Sequence, residues 1–292
     1  MKNYQVQKSI KSTIIYIFMI VFGLIAVVPV WILLVNATRS TEQINKGLSM
    51  IPSIHAFSDW TSPAGTLVRS NWYALTSRGF KIAIGFRNSI IVAGLSTVLN
   101  VYFSALTAYA IHIYRFKGRK VLWGVIMTLI MLPASLSFIG FYQFMAKIHL
   151  TNTYIPLIVP AIAAAGTVLF IKQYLESILS LELIEASRID GAGEFLIFNR
   201  IIIPVIKPAL ATQAIFAFVG SWNNFMTPFV LLSQTEKYTL PMLVQMLRGD
   251  IYRTEYGGIY LGIAVSLVPI IIFYCFMSKF IISGLTMGSV KE

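Results

Sequence analysis

The sequence predicts an all-α integral membrane protein with six transmembrane helices and both termini in the cytoplasm. Three observations predict it. Of its 292 residues, 57% are hydrophobic and 12% charged, against roughly 25% charged in an ordinary soluble domain. Apolar runs recur from residue 14 to residue 282 and leave no stretch able to bury a separate soluble core, so residues 1–292 read as one membrane domain. Many of the basic residues behind the formal charge of +12 sit in short connections between those runs, as cytoplasmic loops do. That placement argues against nucleic acid as a partner.

A hydrocarbon core about 30 Å thick needs about 20 helical residues to cross it. The first run, 13–36, follows a tail bearing Lys2, Lys8 and Lys11. Its apolar part, Ile14 to Val35, exceeds the roughly 7–15 residues of a signal-peptide core, so it reads as a retained helix. The others fall at 88–112, 121–144, 155–174, 204–232 and 258–282. An even number of crossings puts both ends on one side, and the Arg-Phe-Lys-Gly-Arg-Lys connection at 115–120 makes that side cytoplasmic. Pro29, Pro133, Pro160 and Pro269 lie inside spans and predict kinks. Cys275 has no partner in the chain, and His55, His112 and His149 show no metal-ligand spacing.

One connection between spans is neither short nor apolar: residues 180–204. It reads as a surface helix that Ser180 can cap, a turn at Gly191 and Gly193, and a second short helix. Glu182 and Glu185 fall in the first turns, where carboxylates oppose the helix dipole favourably. Leu181, Ile184 and Arg188 share one face by their spacing, with Ile189 beside them. Taken alone, such a segment is a connector lying on the membrane surface.

The pattern within it is more specific. Glu185-Ala186-Ser187, three residues, Gly191, nine residues and then Ile201-x-Ile203-Pro204 resembles the EAA loop of binding-protein-dependent ABC importer permeases, with every spacing in agreement. Ser187 stands for an alanine, Ile203 for a leucine and Ser180 for a frequent proline, which keeps a small residue at 187 and a branched aliphatic at 203. Residues 189–194 and 207–210, Trp222-Asn223 and residues 284–291 are similar to the maltose-type sugar permeases in particular. The likeness is most specific from about residue 180 onward.

That resemblance implies the type I importer permease fold, with the EAA helix seated in a cleft of a cytoplasmic ATPase. Glu185, Ala186, Ser187, Ile189, Asp190 and Gly191 would form the contact, and Gly288, Val290 and Lys291 in the C-terminal tail would be a second one. It also implies a second homologous permease subunit, two ATPase subunits that bind ATP and Mg, an extracytoplasmic sugar-binding protein, and a bacterial or archaeal inner membrane. The chain carries no Gly-x4-Gly-Lys-[Ser/Thr] phosphate loop. It is read as a pore subunit, with no catalytic residue, metal or cofactor of its own.

Two polar groups are candidate contacts. Gln213, Trp222, Asn223 and Asn224 in the fifth span suit a sugar, whose hydroxyls need hydrogen bonds and whose C–H faces pack on rings. Helix-to-helix hydrogen bonding accounts for each of them equally well. Asn100, Tyr102, Tyr109 and Gln143 can contribute from other spans. Asp250, Arg253 and Glu255, in the segment before the sixth span, are candidate contacts for the binding protein. A permease for an amino acid, peptide or ion has the same loop. A secondary transporter is disfavoured by the lack of ionisable residues deep in a span.

Overall fold

The computed structural model describes residues 2–53, 67–77, 81–133, 138–246 and 255–288, and every regular element among them is helical. The chain divides into two compact units, Met1–Phe80 with Val244–Leu267 and Lys81–Leu243 with Val268–Glu292.

In the first unit, α1 (Lys2–Ala37) runs unbroken through Pro29; its apolar part is exposed along most of its length and becomes buried at its end, at Val35, Asn36 and Ala37. α2 (Thr41–Asn45) opens with a capping box in which Ser40 and Gln43 each accept from the other's backbone N–H. Arg39 ties this turn together, donating to Asn36 Oδ1 and to the Gly47 carbonyl, each at 3.0 Å. On α3 (Leu67–Ser77), Asn71 donates to the carbonyls of Ala37 and Arg39 at 2.9 and 3.0 Å. Gly257 lies so close that a Cβ there would stand 2.6 Å from the Arg39 carbonyl oxygen, so only glycine fits.

The second unit begins with α4 (Ile82–Ile113), the helix on which the others pack. The third expected span is broken: α5 (Arg119–Met131) stops, and α6 (Phe138–Lys147) follows. Leu132 turns extended (φ −77°, ψ 131°) because Pro133 disfavours the helical conformation in the residue before it. The fourth span opens as α7 (Ile155–Ile158), tightens to a 3₁₀ turn over Val159–Ile162 around Pro160, and continues as α8 (Ala165–Ile178). Next come α9 (Leu181–Ile189), α10 (Glu194–Ile197), a π turn over Phe198–Ile202 and α11 (Ile203–Val205).

α12 (Lys207–Trp222) departs at 81° from the preceding helical stretch Glu194–Val205. The fifth expected span therefore starts at Lys207, with Pro208 in its first turn, and Pro204 belongs to the element before it. This span also breaks before α13 (Met226–Leu231), where Asn224 Oδ1 accepts the Thr227 N–H at 3.2 Å and a side chain replaces the helical ladder. α14 (Leu240–Met246) closes the unit's first segment, and α15 (Tyr256–Gly288) runs unbroken through Pro269.

By length and composition, four of these helices can cross a membrane, or five if the bent pair counts as one span. At one end of the second unit Asn88 donates to the carbonyls of Glu236 and Tyr238, and Lys237 donates to that of Asn152. At the other end Tyr114 hydrogen-bonds Glu194.

Candidate functional site

The loop singled out by spacing forms α9 and its exit. Ile184 is 1% exposed and joins a core with Leu179, Ile197, Phe198, Ile202 and Ile206. Ser187, 7% exposed, also turns inward and donates to the Leu183 carbonyl at 2.7 Å. Of Leu181, Ile184 and Arg188, which the spacing puts on one face, Ile184 is buried while Leu181 and Arg188 are exposed. Glu185, Ala186, Ile189 and Asp190 form the outward face, and Ile189 is 86% exposed. Beyond the turn, Phe195 is 72% exposed. Ile189 and Phe195 are thus large apolar side chains set among carboxylates on an exposed surface.

The exit from α9 is a Schellman motif. The N–H of Gly191 bonds the Arg188 carbonyl and that of Ala192 bonds the Ser187 carbonyl, both at 3.0 Å. Gly191 has φ +81° with open space where a Cβ would lie, so backbone conformation and not crowding requires glycine there. Ser180 occupies the N-cap position, but its hydroxyl makes no capping bond. Arg188 Nε donates to Glu194 Oε1 at 2.7 Å, and Tyr114 donates to the other carboxylate oxygen. These bonds, that from Arg188 first, hold the Glu194 carboxyl below the usual carboxylate range and fasten α9 to the end of α4.

A second feature lies within the same unit. A cavity of ≈ 480 Å³ is bordered by Ser96 and Asn100 of α4, Phe138 and Phe141 of α6, and Phe216, Ser221, Asn224 and Thr227 of the α12–α13 region. The buried Asn100 Oδ1 has no hydrogen-bond partner among the described residues. Of the sequence-predicted group, Asn224 borders this space, while Gln213 and Asn223 do not. Trp222 is instead 1% exposed and stacked on Phe218, which stacks on Phe273, with Phe86 edge-on to it. It is a packing residue.

Glu255 is exposed and accepts from Thr41 Oγ1 at 3.2 Å. Asp250, Arg253, Val290 and Lys291 lie outside the described residues, and Gly288 is the last residue of α15.

The family of binding-protein-dependent transport system inner membrane components matches residues 100–286, from the middle of α4 through most of α15, with α9 and its exit inside. The chain belongs to that family. As an inner membrane component it is a multi-pass membrane protein and a subunit of a transporter. Among its relatives is the arabinooligosaccharides transport system permease protein AraQ of Halalkalibacterium halodurans, 34% identical over 91% of this chain and 92% of that one. The AraQ protein of Bacillus subtilis is 30% identical over the full length of both. The permease fold is shared with a chain of a bacterial ABC transporter involved in the import of the acidic polysaccharide alginate, at a TM-score of 0.75 and 23% identity, covering 92% of this chain and 96% of that one.

Proposed function

We propose that this chain is a pore subunit of an ATP-driven importer for a neutral sugar or oligosaccharide, and that the outward face of α9 docks on the ATPase. The observation that carries this reading is the construction of that face. Glu185, Ala186, Ile189 and Asp190 point away from the chain, while Ile184 and the Arg188–Glu194–Tyr114 clasp hold the helix from behind. A rigid, outward-facing mount of this kind passes displacement of a docked subunit to α4 and α12. Glu185 supplies a charge for a basic group on the ATPase, and Ala186 permits close approach. Ser187 supports the helix from its inner side. The chain acts without catalysis of its own, and ATP and Mg belong to two partner ATPase subunits.

Six crossings complete the topology if α5 with α6 forms the third, broken at Pro133, and α12 with α13 the fifth. Both termini, the basic loop at 115–120 and α9 then face the cytoplasm. The hydrogen-bonded ends of the second unit support this alternation: residues 88, 152 and 236–238 meet at one end, and 114 and 194 at the other. A second homologous permease subunit completes the pore. An extracytoplasmic sugar-binding protein delivers cargo to the side where Glu255 lies.

Cargo follows from the cavity. Among the described residues its polar border consists of amides and hydroxyls with no charged residue, beside three phenylalanine rings, which suits a neutral sugar rather than an acidic one. The arabino-oligosaccharides named for two relatives are the first class to test. Asn100→Leu removes an amide from the border of the cavity. Uptake of labelled arabino-oligosaccharide by the reconstituted transporter should fall roughly two- to tenfold, the worth of one net hydrogen bond, with ATPase association intact. Unchanged uptake would remove the cavity from the pathway.

A further inference from the structure

The connection from α4 to α5 carries a basic cluster that neither the coupling helix nor the cavity uses. Arg115, Lys117, Arg119 and Lys120 follow one another within it, and no described carboxylate pairs with any of them. Two spaces border this loop. One, of ≈ 510 Å³, is lined by the loop itself; the other, of ≈ 380 Å³, lies between Arg119, Lys120 and Trp123 on α5 and Lys172 on α8, with Ile111 as its apolar wall. Arg119 and Lys120 line both.

Lys172 is mostly buried and holds its ammonium 4.6 Å over the centre of the Trp123 ring, while Glu176 pairs with it. The start of α5, whose first two residues Arg119 and Lys120 line this space, has no side-chain cap. Directly below, Val121, Leu122, Val125, Leu129 and Ile130 form an exposed apolar face. Paired cationic side chains, an interfacial tryptophan and an apolar stripe running away from them match the parts of a phospholipid in order.

We propose that this cleft between α5 and α8 binds the phosphate headgroup of an anionic phospholipid, with Arg119, Lys120 and Lys172 on the phosphate and the acyl chains along α5. Arg115 and Lys117 extend the positive field over neighbouring headgroups. Free phosphate shares the headgroup chemistry but has nothing to occupy the apolar face, which favours the lipid. The site needs only that α5 meets the bilayer, so it stands apart from the cargo and from ATPase docking.

The test uses the assembled transporter in nanodiscs containing equal phosphatidylglycerol and phosphatidylcholine, with the lipids retained on release counted by native mass spectrometry. Retained lipid should be enriched in phosphatidylglycerol for the wild type. It should fall roughly twentyfold in affinity for R119Q/K120Q, because each basic residue near an anionic surface is worth about fivefold. Equal retention of the two lipids by the wild type would overturn the proposal whether or not the variant assembles. So would full phosphatidylglycerol retention by the variant, or displacement of the lipid by millimolar inorganic phosphate, which would mark a free-anion site. Loss of ATPase association with lipid retention unchanged would assign the cluster to the partner protein instead.

Discussion

Glu185→Arg should abolish coupled transport while leaving the permease folded. Glu185 is exposed on α9, and its carboxylate has no partner among the described residues. Reversing its charge therefore costs the isolated subunit little. At a docked interface the same change places a cation against the basic group that Glu185 is proposed to meet. Removing one member of a desolvated charge pair costs about 2–5 kcal/mol, or roughly thirtyfold and upward in dissociation constant, and reversal adds repulsion. Co-purification of the ATPase with the variant should fall accordingly, and sugar uptake should fall with it. Undiminished association with full uptake would take Glu185 out of the interface.

Ile184→Ala should act from the other side of the same helix. Its side chain is the point at which α9 enters the core, between Leu179 and the Ile197–Ile206 stretch. Truncating a buried isoleucine costs about 2–5 kcal/mol, and trimming it to valine about 0.5–1.5 kcal/mol. The alanine variant should lower the unfolding temperature of the purified permease by several degrees. It should also reduce uptake more than ATP hydrolysis, because a loosened α9 still docks but no longer moves α4 and α12 with the ATPase. The valine variant should stay close to wild type in both assays. Equal losses of uptake and hydrolysis in Ile184→Ala would mean that Ile184 stabilises the fold without transmitting force.

The pair also shows why α9 was legible as a segment but not in its rotation. Spacing located the helix, the turn at Gly191 and the second short helix, because the Schellman exit demands a left-handed residue at that position. Spacing also put Leu181, Ile184 and Arg188 on one face, of which Ile184 is the buried member. Apolar residues lie on both sides of this helix: Ile184 is buried, while Ile189, which the resemblance groups with the docking residues, is 86% exposed. Ser187 reads as a surface contact although it packs inward. A single period cannot separate an intramolecular face from an intermolecular one.

The spans show a similar division. Those formed by α1, α4 and α15 appear where hydropathy puts them, with Pro29 and Pro269 absorbed without a break in the helix. The break at Pro133 follows from the restriction proline places on Leu132, and length alone hides it. The break after Trp222 is accompanied by two side-chain bonds between Asn224 and Thr227, which hydropathy does not register. In the cavity, Asn100 and Asn224 come together from α4 and the α12–α13 junction. Trp222, a candidate contact by residue type, is instead buried in an aromatic stack, lying on Phe218 with Phe86 edge-on to it and Phe273 stacked on Phe218.

The claim that the outward face of α9 seats on a separate ATPase is tested most directly by cross-linking. Cys275 is the chain's single cysteine, so Cys275→Ser gives a background for placing one thiol at a time. In the assembled transporter, Ala186→Cys should form an adduct with the ATPase subunit. Ser187→Cys, one position on but turned inward, should form little or none. Equal adducts from both positions, or none from Ala186→Cys in a complex that hydrolyses ATP, would contradict the account.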